Sequence, residues 1–261
     1  PDLALSRTIS TIEPLLGGLT PEQSGRVTKA MAELAATTKT RVSQDAPGLV
    51  ETVTVGALQG ANTAVNYYTG AVAILFVLFS AMQSAAIFID ERNSGILDRI
   101  AVMPAGPEVM VYGKFLFLVA QGVIQTVLIF AAAAVFYDVN VITKAGSWLL
   151  VTIAAAMAAS GLALAVAATC TTKQQAQTIS TFIVLVCSAV GGSMVPRFMM
   201  PPWLQDLGRL TPNSWVIEAY QDALWRGQAL PEILPELLSL FALAVVGTIY
   251  AVAISRRRLR L

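Results

Sequence analysis

Residues 90–114 read DERNSGILDRIAVMPAGPEVMVYGK. From Thr52 to Ile89 the chain carries no charged side chain, and from Phe115 to Tyr137 it again carries none. A charged wedge with a Pro-Ala-Gly-Pro turn therefore separates two uncharged runs, each long enough to cross a bilayer. Within the wedge, Asn93 or Ser94 can cap a short helix with Ile96, Leu97, Ile100 and Met103 on one side and Asp98 and Arg99 elsewhere. Pro104, Gly106 and Pro107 break it before the next run. A short amphipathic helix of this kind lies flat at a membrane surface with its charges facing water.

The rest of the chain agrees with a membrane setting. It has 261 residues, 56% hydrophobic and 13% charged, against about a quarter charged in soluble domains. A spanning helix needs about 20 mostly apolar residues. Five segments qualify, at 69–89, 109–136, 146–169, 176–195 and 236–255. In lipid the backbone must satisfy its own hydrogen bonds, so each is expected to be a helix.

Orientation follows from lysine and arginine, which collect on the cytoplasmic side. The tail SRRRLRL follows the last span and places the C-terminus in the cytoplasm. Counting back puts Arg92, Arg99, Lys114 and Lys173 on the same side, with Lys144, Arg197, Arg209 and Arg226 outside. Five spans then leave residues 1–65 outside. The simplest route for delivering them is another span upstream of Pro1, so a six-span protein is expected, lacking its first helix and part of an outer domain. In that segment Thr20-Pro21-Glu22-Gln23 reads as a helix start and residues 52–55, TVTV, as a short strand.

The fold class expected is thus an all-α polytopic membrane protein. A partial α or α/β extracytoplasmic segment occupies 1–65 and a transmembrane domain 66–261. Re-entrant outer helices follow the fourth span, in GGSMVPRFMMPPWLQDLGRLTPNSWVIEAYQDALWRG (191–227). There Gly191 and Gly192 weaken the helix and Pro196 ends it. Pro202 and Trp203 open a second piece. Thr211 can cap a third, with Pro212 at its first position and Trp215 and Glu218 along it. Trp203, Trp215 and Trp225 suggest anchoring at interface depth. Glu218 and Asp222 share a face and are expected to help hold the helix at the water interface or to bind Arg209 or Arg226, rather than to do acid–base chemistry.

Several classes are excluded. Histidine is absent, which removes His-based triads and HExxH zinc sites. Cys170 and Cys187 show no metal or redox spacing. No basic stripe interleaved with aromatics suggests nucleic acid. In the third span Ala155, Ala159, Ala163 and Ala167 recur every four residues, as do Met157, Gly161 and Ala165, which permits close helix approach. Gln83, Gln121, Gln125 and Ser160 are candidates to line a path. No P-loop is present, and no acid is expected inside a span, so a pump built this way needs an energy source on a partner, with the wedge as the natural contact.

Taken together, the wedge and the 191–227 stretch resemble the permease subunits of ABC-2 type bacterial ABC exporters. Glu91, Gly95, Leu97, Asp98, Arg99, Pro104 and Lys114 fall on that family's cytoplasmic stretch, an acid, a Gly, a Thr-Leu-Glu-like triplet, an apolar pair and a Pro. Ile96 and Asp98 depart conservatively from Thr and Glu. Gly192, Pro196, Pro202, Trp203, Leu210, Pro212 and Trp215 fall on its ending. The resemblance implies two permeases, identical or different, paired with two ATPase subunits. The wedge, with Arg92, Asp98 and Arg99 in contact, would be the coupling helix. ATP and Mg would sit on the partner, with no cofactor on this chain. It further implies the bacterial inner membrane, an extruded drug, lipid or glycan, and room for a periplasmic adaptor. A secondary transporter or channel is the alternative.

Overall fold

The computed structural model describes residues 57–94, 108–139, 141–226 and 230–258, with the backbone alone at 57–63, 92–93, 230 and 258. The chain divides into two units, Pro1–Val55 and Gly56–Leu261, and every described residue lies in the second. The helix expected near Thr20 and the strand at 52–55 lie outside the described residues, as does the whole of 95–107.

Among the described residues the secondary structure is helical. Helix α1 runs Ala57–Asn93, α2 Glu108–Tyr137, α3 Ala145–Thr169 and α4 Lys173–Val190. Two short pieces follow, α5 Pro202–Gly208 and α6 Pro212–Tyr220, and a π-helical turn Gln221–Arg226 extends the second. Helix α7, Leu230–Arg258, closes the chain.

Among the described residues four stretches are long and apolar enough to cross a membrane: Ala64–Glu91, Glu108–Tyr137, Ile142–Thr169 and Pro231–Arg257. Over the span expected at 176–195 lies an 18-residue helix that begins at Lys173 and stops at Val190. Lys173, Gln174, Gln175 and Gln177 make its first turns polar, and Gly192, at φ +98°, turns the chain where the apolar run would have continued. Helix α1 also begins a dozen residues before the expected 69, inside the segment assigned to the outer domain. Gln59, Asn62 and Asn66 interrupt the apolar run there without interrupting the helix, because hydropathy marks burial in lipid whereas helix formation needs only tolerable backbone propensity. Ser94 finishes α1: its N–H and Oγ donate back to the carbonyls of Asp90 (3.0 Å) and Glu91 (2.8 Å).

Helix α3 is central, touching α1, α2, α6 and α7. Its small residues explain why. A Cβ on Gly161 would lie 2.6 Å from the Ala244 carbonyl oxygen, and one on Gly247 2.5 Å from the Gly161 carbonyl oxygen, so α3 and α7 meet backbone to backbone. Lipid tails are as apolar as leucine, so close packing of this kind, rather than exclusion from water, holds such helices together. Ser160, expected as a path-lining candidate, is fully buried and donates to the Ala156 carbonyl at 2.7 Å. Gln121 joins α2 to α1 by donating to Ser80 (2.6 Å) and Ser84 (3.1 Å). One face of α2 is left open, with Leu116, Phe117, Ile124, Leu128, Val135 and Phe136 exposed.

Candidate functional site

Polar chemistry collects at the two ends of this apolar bundle. At the wedge end, three ion pairs fasten four helices. Glu91 near the end of α1 accepts from Lys114 of α2 at 2.9 Å. Asp90 accepts from Lys173 at the start of α4 at 2.7 Å. Glu108 at the start of α2 pairs with Arg256 near the end of α7 at 2.5 Å. Acids at helix starts and bases at helix ends also suit the helix dipole, which applies to Glu108 and Arg256. Thr172 caps α4 by accepting from the Gln175 N–H at 3.2 Å. Of the residues expected in the ATPase contact, only Glu91 is fully described. Arg92 lies in the last turn of α1 without a described side chain, and Gly95, Leu97, Asp98, Arg99 and Pro104 lie outside the described residues.

The opposite end is built around Arg197. Tyr67, on α1 twenty-three residues before Asp90, lies about 35 Å from it along the helix, roughly one hydrocarbon thickness. The Tyr67 hydroxyl donates to the Gly192 carbonyl at 2.8 Å and accepts from the Arg197 backbone N–H at 3.3 Å. The Arg197 guanidinium donates to Glu218 and Ser214 on α6 and to the Gln205 carbonyl on α5, the last two at 2.8 and 3.3 Å. Below it Asn213 donates to Ser188 (3.2 Å) and Ser193 (2.8 Å), tying α6 to the end of α4.

The sequence-named residues take distinct places here. Gly191 caps α4, and a Cβ there would collide with Thr211 and Asn213. Gly192 holds a left-handed φ, and a Cβ would lie 2.7 Å from the Tyr67 hydroxyl. Pro196 precedes a 3-10 turn, Arg197–Met199. Pro202 and Pro212 each occupy the first position of a helix, and Thr211 caps α6 by accepting from the Ser214 N–H at 3.4 Å. Trp215 donates to the Arg209 carbonyl at 2.7 Å. Trp203 stands largely exposed and belongs to neither network. Glu218 binds Arg197 rather than Arg209 or Arg226; Asp222 takes Arg226 at 2.7 Å, and Arg209 pairs with Asp206 at 3.8 Å. The reason is the intervening turn at 192–199, which returns Arg197 over α6 and leaves Arg209 on the exposed side.

Two further findings were not expected. Tyr67, Gln205 and Asn213 complete the Arg197 assembly. An arginine directly after a proline in an otherwise apolar stretch was the available signal, since such a charge needs a partner. Acids also lie inside an apolar spanning stretch: Glu232 and Glu236 sit in the first turns of α7, and one Glu236 carboxylate oxygen is buried without a partner among the described residues.

An apolar bundle of long helices with polar contacts at its two ends, one of them closed by short broken helices, is the architecture of a multi-pass membrane protein. The chain belongs to the ABC-2 family: the model of ABC-2 family transporter proteins matches residues 10–253. That family supplies the membrane, noncatalytic component of ABC transporters. A curated relative, the linearmycin resistance permease protein LnrN of Bacillus subtilis (strain 168), is 22% identical over 161 residues. The match covers 62% of this chain and 42% of that relative, so this chain spans less than half of the relative's length.

Proposed function

We propose that the chain is the permease subunit of an ATP-driven exporter. A separate ATPase docks on residues 91–103, with Arg92, Asp98 and Arg99 in contact, and carries the ATP and Mg. The segment 191–226 forms a re-entrant gate at the outer mouth. The observation that supports this best is the pairing of ends. Helix α1 ends and α2 begins, on either side of residues 95–107, at the end where Lys114, Lys173 and Arg256 gather, the side favoured for cytoplasmic charge, and the Arg197 assembly lies about 35 Å away. The 18-residue α4, about 27 Å long, crosses between them as a fifth span. The C-terminus is cytoplasmic, in a bacterial inner membrane. The open faces of α2 and α7 meet lipid and a second permease, identical or different. Uncharged polar groups in the spans and the relative named for linearmycin resistance favour a drug-like or lipid-like substrate, handed on to a periplasmic adaptor where one exists.

The test is to express the full reading frame with its neighbouring frames, purify by a tag on this subunit and identify what accompanies it. A stoichiometric P-loop ATPase, lost when 91–103 is scrambled, is expected. Reversing Asp98 and Arg99 should leave the protein inserted and ATP hydrolysis uncoupled from transport. A solitary protein that still moves solute would overturn the reading in favour of a secondary transporter.

A further inference from the structure

At the wedge end a groove of about 400 Å³ opens between α2 and α7, lined by Tyr112, Ile249, Val252, Ala253, Arg256 and Arg257. Its size lies within the ~300–1,000 Å³ usual for small-molecule sites. Its character changes along its length. Ile249, Val252, Ala253 and Arg256 follow one another at three- and four-residue spacing, so they form one face of α7 that is apolar toward the bundle middle and cationic at the helix end. Tyr112, one turn into α2, faces it from the other wall, and the exposed Leu116 continues the apolar track one turn deeper.

The charges around the groove are unequal. Among the described residues the three carboxylates at this end, Asp90, Glu91 and Glu108, are each held by a cation: Lys173, Lys114 and Arg256. Arg257 therefore stands at the groove with no carboxylate partner among the described residues, and Arg258 and Arg260 follow it in sequence. A groove with an apolar floor and unneutralised arginines at its mouth, at the last turn of an apolar spanning helix, matches a lipid with an anionic headgroup. The acyl chain lies on the apolar wall and the phosphate meets the guanidinium, which binds phosphate in a planar fork.

We propose that this groove is a binding site for an anionic phospholipid, with Arg257 as its principal headgroup contact and Ile249, Val252 and Ala253 as its acyl-chain floor. The site does not depend on the identity of the energy source. Such a lipid would brace α2 against α7 beside the Glu108–Arg256 pair, so its occupancy would bear on α2, the helix that follows the wedge.

The test uses the full-length protein with its accompanying chains, delipidated in detergent and titrated with dioleoyl phosphatidylglycerol or dioleoyl phosphatidylcholine. Bound lipid is counted per chain by native mass spectrometry. Phosphatidylglycerol should bind more tightly than phosphatidylcholine. Arg257→Ala should weaken it about fivefold while leaving phosphatidylcholine unchanged. Ala253→Phe, which fills the groove without altering charge, should weaken it independently, and Lys144→Ala at the opposite end should not. Equal binding of the two lipids would overturn the proposal. So would an unaffected Arg257→Ala or Ala253→Phe, or an equal loss in Lys144→Ala, which would indicate unspecific attraction. Displacement of the lipid by millimolar inorganic phosphate alone would convert the site to one for free anions and also overturn it.

Discussion

The two ends of the bundle use similar side chains in different ways. At the wedge end each acid meets one base, the three pairs share no member, and most of the groups are partly open to water. At the opposite end one guanidinium, with its side chain 13% exposed, gathers Glu218, Ser214 and the Gln205 carbonyl, while its backbone N–H meets Tyr67. Independent, half-exposed pairs each contribute little and break one at a time. A hub couples its members, because its loss removes a partner from more than one group at once. The wedge end thus spreads its polar contacts over separate pairs, and the Arg197 end gathers them on one side chain.

The largest effect should come from the hub. Arg197→Met leaves Glu218 without its base and the buried Ser214 hydroxyl without its donor, while the Gln205 carbonyl keeps the Arg209 N–H. A destabilisation of about 3–5 kcal/mol is expected, read as a fall in the midpoint of thermal unfolding in detergent. Glu218→Gln should cost less, and the double variant should cost about as much as Arg197→Met alone. Strictly additive losses would show that the assembly is no hub, and the contrast between the ends would collapse.

A smaller effect should follow at Gly192. Alanine there must adopt φ near +98° and place its Cβ 2.7 Å from the Tyr67 hydroxyl. A cost of about 1–3 kcal/mol is expected. In a Tyr67→Phe background the clash with the hydroxyl should disappear, while the contact with Arg197 Cγ at 2.8 Å and the backbone part remain, so the substitution should cost less there. An undiminished cost would assign the penalty to the backbone and the Arg197 side chain.

Glu91→Gln comes next and tests the wedge end. It leaves the mostly buried Lys114 ammonium, which also lies 5.6 Å from the Phe117 ring centre, without its carboxylate. A loss of about 1–2 kcal/mol is expected, additive with any change at Lys173. Coupling between the two pairs would make this end a network after all.

How much of this was legible beforehand differs by the range of the interaction. The three spans at 109–136, 146–169 and 236–255 were readable because hydropathy is a local sum, and the structure gives α2, α3 and α7 over them. The Thr211-Pro212 start of α6 was readable because capping is decided within three residues. The end of α4 was misplaced by five residues: Val190 and Val195 are equally apolar, and only Gly192's left-handed φ separates helix from turn. Arg197 with Tyr67 was out of reach, since 130 residues separate partners whose approach depends on how α1, α4 and α6 pack. The alanine period of α3 announced a close neighbour without naming it. Gly247 identifies itself only once α7 is laid against α3.

The smallest effect should be Asp90→Asn. Asp90 and Lys173 lie 2.7 Å apart, but their side chains are 51% and 41% exposed, so water screens the pair and holding two flexible chains together costs entropy. A change under about 1 kcal/mol is expected at low salt. It should vanish at ~1 M salt, where the screening length falls to ~3 Å. The Arg197→Met loss should be less sensitive to the same salt, because part of it is the buried Ser214 hydroxyl left without its donor, which ions in solution do not reach. The two salt series together separate the ends more cleanly than either magnitude alone. If Asp90→Asn proved as costly and as salt-resistant as Arg197→Met, α1 and α4 would be locked at the wedge end, and a motion admitted there could not leave the bundle by way of α4.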